Sequence, residues 1–400
     1  MSADLNSARR SPLVVLAYGF RPFFLLAGVW AIVPMLTIGW SVRSGEWPAE
    51  AVPLFTWHGH EMLFGFAAAA IAGFLLTAVP SWTGTRPVSG YPLVGLIVLW
   101  ALGRVESTPL WEPTSLVAQS LSVAFFPALA TIVAVPIAAA RNFRNLPFLL
   151  FLGLLFLADV LFHASRFGWI VAPPFDPLRL AVNTVLLMIV IVGGRIIPAF
   201  TRNTFVAIGR SVTIRSTQAL DLAAIAATMA VLLGDVVALH TPVTGMLAAL
   251  AAILLGLRLG WWQGWRTFDI PLLWVLHIGY CWLIAGLALK AAWLLGGYGW
   301  AMNWMHAINL GAFGTMILGV TTRAALGHTG RPLTASAPIV LAYLLVSVAG
   351  IFRVWGPWLL PSRYWLVLSV SIVAWIVAYA LFLLVYVPIL VRPRADGKAG

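Results

Sequence analysis

Apolar residues run along the chain in long continuous blocks, broken by short connectors that carry Gly, Pro and single charges. Cutting at those connectors leaves twelve runs, at approximately 18–41, 54–79, 91–104, 116–139, 146–164, 179–199, 219–238, 242–259, 270–294, 301–322, 336–355 and 364–390. Most approach the ~20 residues that a bilayer core requires, and the third is the shortest. Lipid satisfies no backbone group, and the runs lack the alternation of a membrane barrel, so helices are expected. Pro34, Pro127 and Pro136 predict kinks within them. The fold class is therefore an all-α integral membrane protein of about 12 transmembrane helices. A segment 1–17, a single transmembrane domain 18–390 and a tail 391–400 make up the expected organisation.

Composition sharpens this. Hydrophobic residues make up 62% of the chain and charged ones only 9%, with a mean hydropathy of +0.97, which excludes a soluble domain of this length. The net charge of +12 comes from basic residues scattered singly through connectors, with no stripe or motif for nucleic acid. Their distribution predicts orientation instead. With both termini in the cytoplasm, 17 of the 24 Lys and Arg lie inside, Arg9, Arg10, Arg141, Arg323 and Arg394 among them. Arg9 and Arg10 precede an apolar stretch without a small-residue cleavage site, so the first segment is expected to be retained. Cys281 is the single cysteine, which excludes an intramolecular disulfide and a Cys-rich metal knuckle.

Orientation sorts the histidines by depth. His58, His60, His163, His240 and His306 fall toward the outer face, His277 and His328 toward the cytoplasm. The second run opens "TWHGHEML", with Thr56 as the expected N-cap. Residues two apart on a helix point to different faces, so His58 and His60 serve different neighbours. His60 falls with Phe64, Ala67 and Ile71, and His58 with Glu61, Gly65 and Ala69. In "LADVLFHASR" Asp159, His163 and Arg166 share a face, a carboxylate one turn from an imidazole. Such a pair orients a metal-ligating histidine or relays protons, and equally forms a self-satisfied ion cluster. His277 and Cys281 share a face that suits copper, although a lone buried Cys is more often packing.

An internal match supplies the next step. At an offset of 246 residues His60 matches His306, Gly65 matches Gly311 and Gly73 matches Gly319, while Thr83-Gly84 matches Thr329-Gly330. "PAFT" at the end of the sixth run echoes "PSWT" at the end of the second. Three four-helix units follow as an arrangement, with an architectural likeness to the catalytic subunit of the haem-copper oxidases. Histidines at equal depth on two helices are what a six-coordinate haem b needs, so His60 and His306 are the expected axial pair, with His58 and Glu61 facing a second site. No Cys-x-x-Cys-His occurs, which excludes a covalently attached c-type haem.

The motifs "YGFRPFFLLAG", "WHGHEMLFGFAAAAIAGFLLTAVPSWTG", "GGRIIPAFTRN", "PLLWVLHIGYCWL" and "MILGVTTRAALGHTGRPL" resemble the NnrS family, in order, from about Tyr18 to Leu333. That resemblance implies a bacterial inner-membrane protein containing haem and copper, associated with nitric oxide during denitrification or nitrosative stress. It assigns no ligand to any histidine. His58, His60, His163, His277 and His306 are the candidate metal ligands, Asp159 and Glu61 the candidate groups for proton transfer or ligand support. A redox enzyme acting on nitric oxide or a nitrosyl species needs an electron donor, and is one version. Two rivals remain, a twelve-helix secondary transporter and a haem-based membrane sensor without turnover. Against the first stand the histidines gathered in one half of the bilayer and the lack of paired broken helices; against the second, the lack of a soluble signalling domain.

Overall fold

The computed structural model describes residues 14–47, 52–108, 116–171, 175–211, 213–237 and 241–398. Arg9, Arg10 and His240 lie outside the described residues. Twelve helices follow the twelve apolar runs: α1 (Phe20–Ser44), α2 (Leu54–Thr83), α3 (Tyr91–Glu106), α4 (Leu116–Val123 and Phe125–Ala139), α5 (Pro147–Arg166), α6 (Pro177–Ala207), α7 (Gln218–Val236), α8 (Thr241–Trp261), α9 (Pro271–Gly296), α10 (304–328), α11 (Ala337–Leu359) and α12 (Tyr364–Val391). No strand occurs among the described residues. Ten of the helices are long and apolar enough to cross a membrane. The 16 residues of α3 reach only ~24 Å, short of a ~30 Å hydrocarbon core. α4 is broken at Ala124, because Pro127 has no N–H for the carbonyl of Val123 and its ring crowds that position.

Where the bundle is thickest, α2, α6, α9 and α10 are inside. Their most apolar stretches are 72–78% buried, against 33–50% in the other six membrane-length helices. α1 packs on α2 and α12, α11 runs back along α12, and α9 packs on both α8 and α10. The chain reverses direction at each connector, so one end of the bundle receives the starts of α2, α6 and α10 and the ends of α3, α5 and α11. That end carries His58, His60, His163 and His306; the opposite end carries His277 and His328.

Two local departures matter for the site. α2 begins at Leu54 after Pro53, so the expected cap Thr56 lies inside the first turn. Both α2 and α10 then widen into π-helix, at Glu61–Ala67 and Ala307–Gly314, each directly after a histidine. The two segments begin 246 residues apart, the offset of the internal match, whereas α6 is α-helical throughout. π-segments leave carbonyls without their i+4 partners. Trp100 Nε1 donates to the carbonyl of Gly65 at 3.0 Å, and Tyr379 Oη to that of Gly314 at 3.0 Å. The matched glycines let indoles of the preceding helices approach. A Cβ on Gly65 would lie 2.2 Å from Trp30, and one on Gly311 2.5 Å from Trp282.

Candidate functional site

The first site is a buried chain of charges between α2, α3 and α5. His60 Nδ1 bonds Glu61 Oε1 at 2.9 Å, and His60 Nε2 bonds Asp159 Oδ1 at 3.1 Å. Glu61 is held in turn by Arg104 Nη1 at 2.8 Å and by the Trp30 indole at 2.8 Å. On the other side of Asp159, His163 Nε2 stands 3.5 Å from the same Oδ1 and its Nδ1 faces Glu106 at 3.7 Å. Glu106 accepts from Arg166 at 3.3 Å. The order is thus Arg104, Glu61, His60, Asp159, His163, Glu106, Arg166, with a central carboxylate flanked by two imidazoles. His60 stacks on Phe162 with ring centroids 4.2 Å apart, which fixes its plane.

This arrangement has the parts of a metal centre. One donor atom from each of His60, Asp159 and His163 lies within 4.8 Å of the others, and all three residues are buried. A carboxylate on the far nitrogen of each imidazole is the usual device for orienting a metal-ligating histidine. The two halves differ in tightness. His60 is hydrogen-bonded through both nitrogens, whereas His163 Nδ1 and Glu106 Oε2 are buried without a hydrogen-bond partner. Unmet buried polar capacity of that kind costs free energy and calls for a further occupant or rearrangement.

The second site is a cavity of about 320 Å³ between α2, α10 and α12, at the same end of the bundle. His58 and His306 both line it, with Asn309, Met62 and Arg353. His58 Nδ1 and Asn309 Oδ1 are buried without a partner, and among the described residues Arg353 has no ion pair. Phe66, Phe313 and Trp375 make the remaining wall largely apolar. Much of this lining comes from the two π-segments, so the widened turns present their side chains to one cavity.

Sequence reasoning paired His60 with His306; the structure instead places His58 in the cavity with His306 and draws His60 to Asp159 and His163. Glu61 also joins His60 rather than His58. His58 and His60 lie on different faces of one α-helical turn, and helix rotation, which the sequence offset does not carry, sends His60 to Asp159 and His58 to the cavity. His277 is buried at the opposite end, where Thr201 Oγ1 lies 3.1 Å from its Nε2 and Gly264 packs against its ring. Cys281, its expected companion, is exposed on the bundle surface. Sequence reading did not single out Arg104, Glu106 or Arg353. Charges at the ends of apolar runs were the signal available, since an ion inside a membrane needs a partner.

Fold and sites together define a multi-pass α-helical membrane protein that gathers imidazoles and carboxylates at one end of its bundle. The chain belongs to the NnrS family: residues 14–394, nearly its whole length, match the family described as NnrS protein. No curated protein matches the sequence.

Proposed function

We propose that this is a haem- and copper-binding protein of the bacterial inner membrane that serves the nitric-oxide response. The observation that carries the reading is the meeting of His58 and His306, from two helices, in one largely apolar cavity with Arg353, which has no ion pair among the described residues. Haem b would be held there by the imidazoles of His58 and His306 against the apolar walls, with the Arg353 guanidinium available to an acidic group of the cofactor. Haem so bound supplies an iron centre for nitric oxide or for electron transfer. Imidazole with carboxylate suits copper, and the set that fits it is His60, Asp159 and His163. In this arrangement Glu61 and Glu106 would orient the imidazoles, and without a metal Asp159 Oδ1 stands between His60 and His163 as the acceptor that links them. His277, bonded to Thr201 at the opposite end, is left outside both sites.

The purified protein is expected to show a Soret band and the reduced bands of a low-spin haem b, shifted by nitric oxide, with copper in metal analysis. A colourless, copper-free protein from cells supplied with both would overturn the reading. Orientation is part of the same proposal. The basic residues favour both termini in the cytoplasm and the His58 end outside. A reporter fused after Gly400 is expected to read cytoplasmic, and one inserted near Ser44 periplasmic.

A further inference from the structure

The opposite end of the bundle holds another cavity, of about 270 Å³, between α1, α2, α6 and α10. Arg323 of α10 lines it and is only 9% exposed. Its guanidinium carbon lies 4.3 Å from the centroid of the Phe200 ring, and among the described residues it has no ion pair or hydrogen bond to protein. Asp396, the carboxylate of the tail that folds over this end, is committed to Arg394, which donates to it at 2.9 and 2.6 Å. Thr77 also lines the cavity, but its hydroxyl donates to the carbonyl of Gly73 at 2.7 Å and so has no proton for an anion. A cation buried in a membrane-spanning helix without a counter-charge carries a large solvation penalty. An anion beside Arg323 would offset that penalty.

We propose that this cavity binds an amphipathic organic anion, its carboxylate or phosphate head on Arg323 and its apolar body among Phe24, Phe74 and Phe200. A guanidinium presents a fork of donors that matches the oxygens of either head. His328, on the rim, adds a second polar contact. The walls are otherwise apolar, so a small hydrated inorganic ion would lose its water against phenyl rings and gain little. The volume lies just below the ~300–1,000 Å³ of drug-sized ligand pockets, which suits a medium-length chain. Two sources carry this chemistry: a free carboxylate from the aqueous phase, and an anionic lipid entering between helices.

The test uses the full-length protein in phosphatidylcholine nanodiscs, titrated with decanoate by calorimetry, with native mass spectrometry of the protein as purified. Saturable binding of decanoate is expected, weakened about tenfold or more in Arg323→Gln and less in Arg323→Lys. Phosphatidylglycerol retained by the wild type, lost in Arg323→Gln and competing with decanoate would identify the lipid source. Decanoate binding that phosphatidylglycerol does not compete with, in protein that retains none as purified, would identify the soluble one. Leu333→Trp, which fills the mouth while leaving Arg323 in place, must also lose binding, so the proposal stays testable if Arg323→Gln fails to fold. Equal affinity in the variants, inorganic phosphate binding as tightly as decanoate, or no binding to lipid-free protein would overturn it.

Discussion

Replacing His306 with alanine is expected to abolish the low-spin haem spectrum, and His58→Ala is expected to do the same, whereas His60→Ala leaves the Soret band in place. His58 and His306 share the cavity, and His60 is turned away into hydrogen bonds with Glu61 and Asp159. The loss in haem affinity should exceed ~10–100-fold, since even a group that merely orients a ligand costs that much. His60→Ala should act on copper instead, together with His163→Ala and Asp159→Asn, because these three residues converge on one point. Spectra and metal content of the single variants separate the two sites. A normal haem spectrum in His58→Ala combined with its loss in His60→Ala would reverse the assignment and restore the pairing expected from the 246-residue offset.

Arg104→Met is expected to destabilise the protein by about 3–5 kcal/mol, the cost of leaving one member of a buried ion pair uncompensated. Its guanidinium lies 2.8 Å from Glu61, and the side chains are only 6% and 1% exposed. The carboxylate would remain in the membrane with His60 and the Trp30 indole as its other partners. Adding Glu61→Gln should recover much of the loss, because the double variant removes both charges and leaves an amide that Trp30 can still donate to. Thermal unfolding in detergent of the two single variants and the double variant closes the cycle. Equal melting of Arg104→Met and the wild type would mean that Glu61 takes up a proton in place of its partner.

The internal match illustrates how far local pattern reaches. His60 with His306 and Gly65 with Gly311 are visible as an offset, and the structure gives that offset a physical content: π-segments beginning at Glu61 and Ala307, with an indole packed on each matched glycine. What the offset does not carry is direction. A helix wheel drawn at 3.6 residues per turn sends His58 toward Glu61, but the Glu61 carboxylate bonds instead to its chain neighbour His60, between Arg104 and Trp30. Asp159 with His163 was legible because both lie on one helix, four residues apart. Arg104 and Glu106 were not, since they come from the short α3 and meet α2 and α5 only across the bundle.

Sequence alone determined that the chain is a bundle of membrane helices, roughly where each lies along the chain, and which histidines share an end. Continuous apolarity admits no other backbone in lipid, and connectors of a few residues force neighbouring helices to run antiparallel. The family, too, was legible in contiguous motifs. Only the tertiary structure decided that His58 meets His306, that His60 meets Asp159 and His163, and that Arg323 faces a cavity without a counter-charge. Those outcomes depend on helix rotation and on contacts between residues far apart in the chain. Rotation is set by small residues, π-segments and the partners that buried charges find, and none of these is a property of one helix by itself.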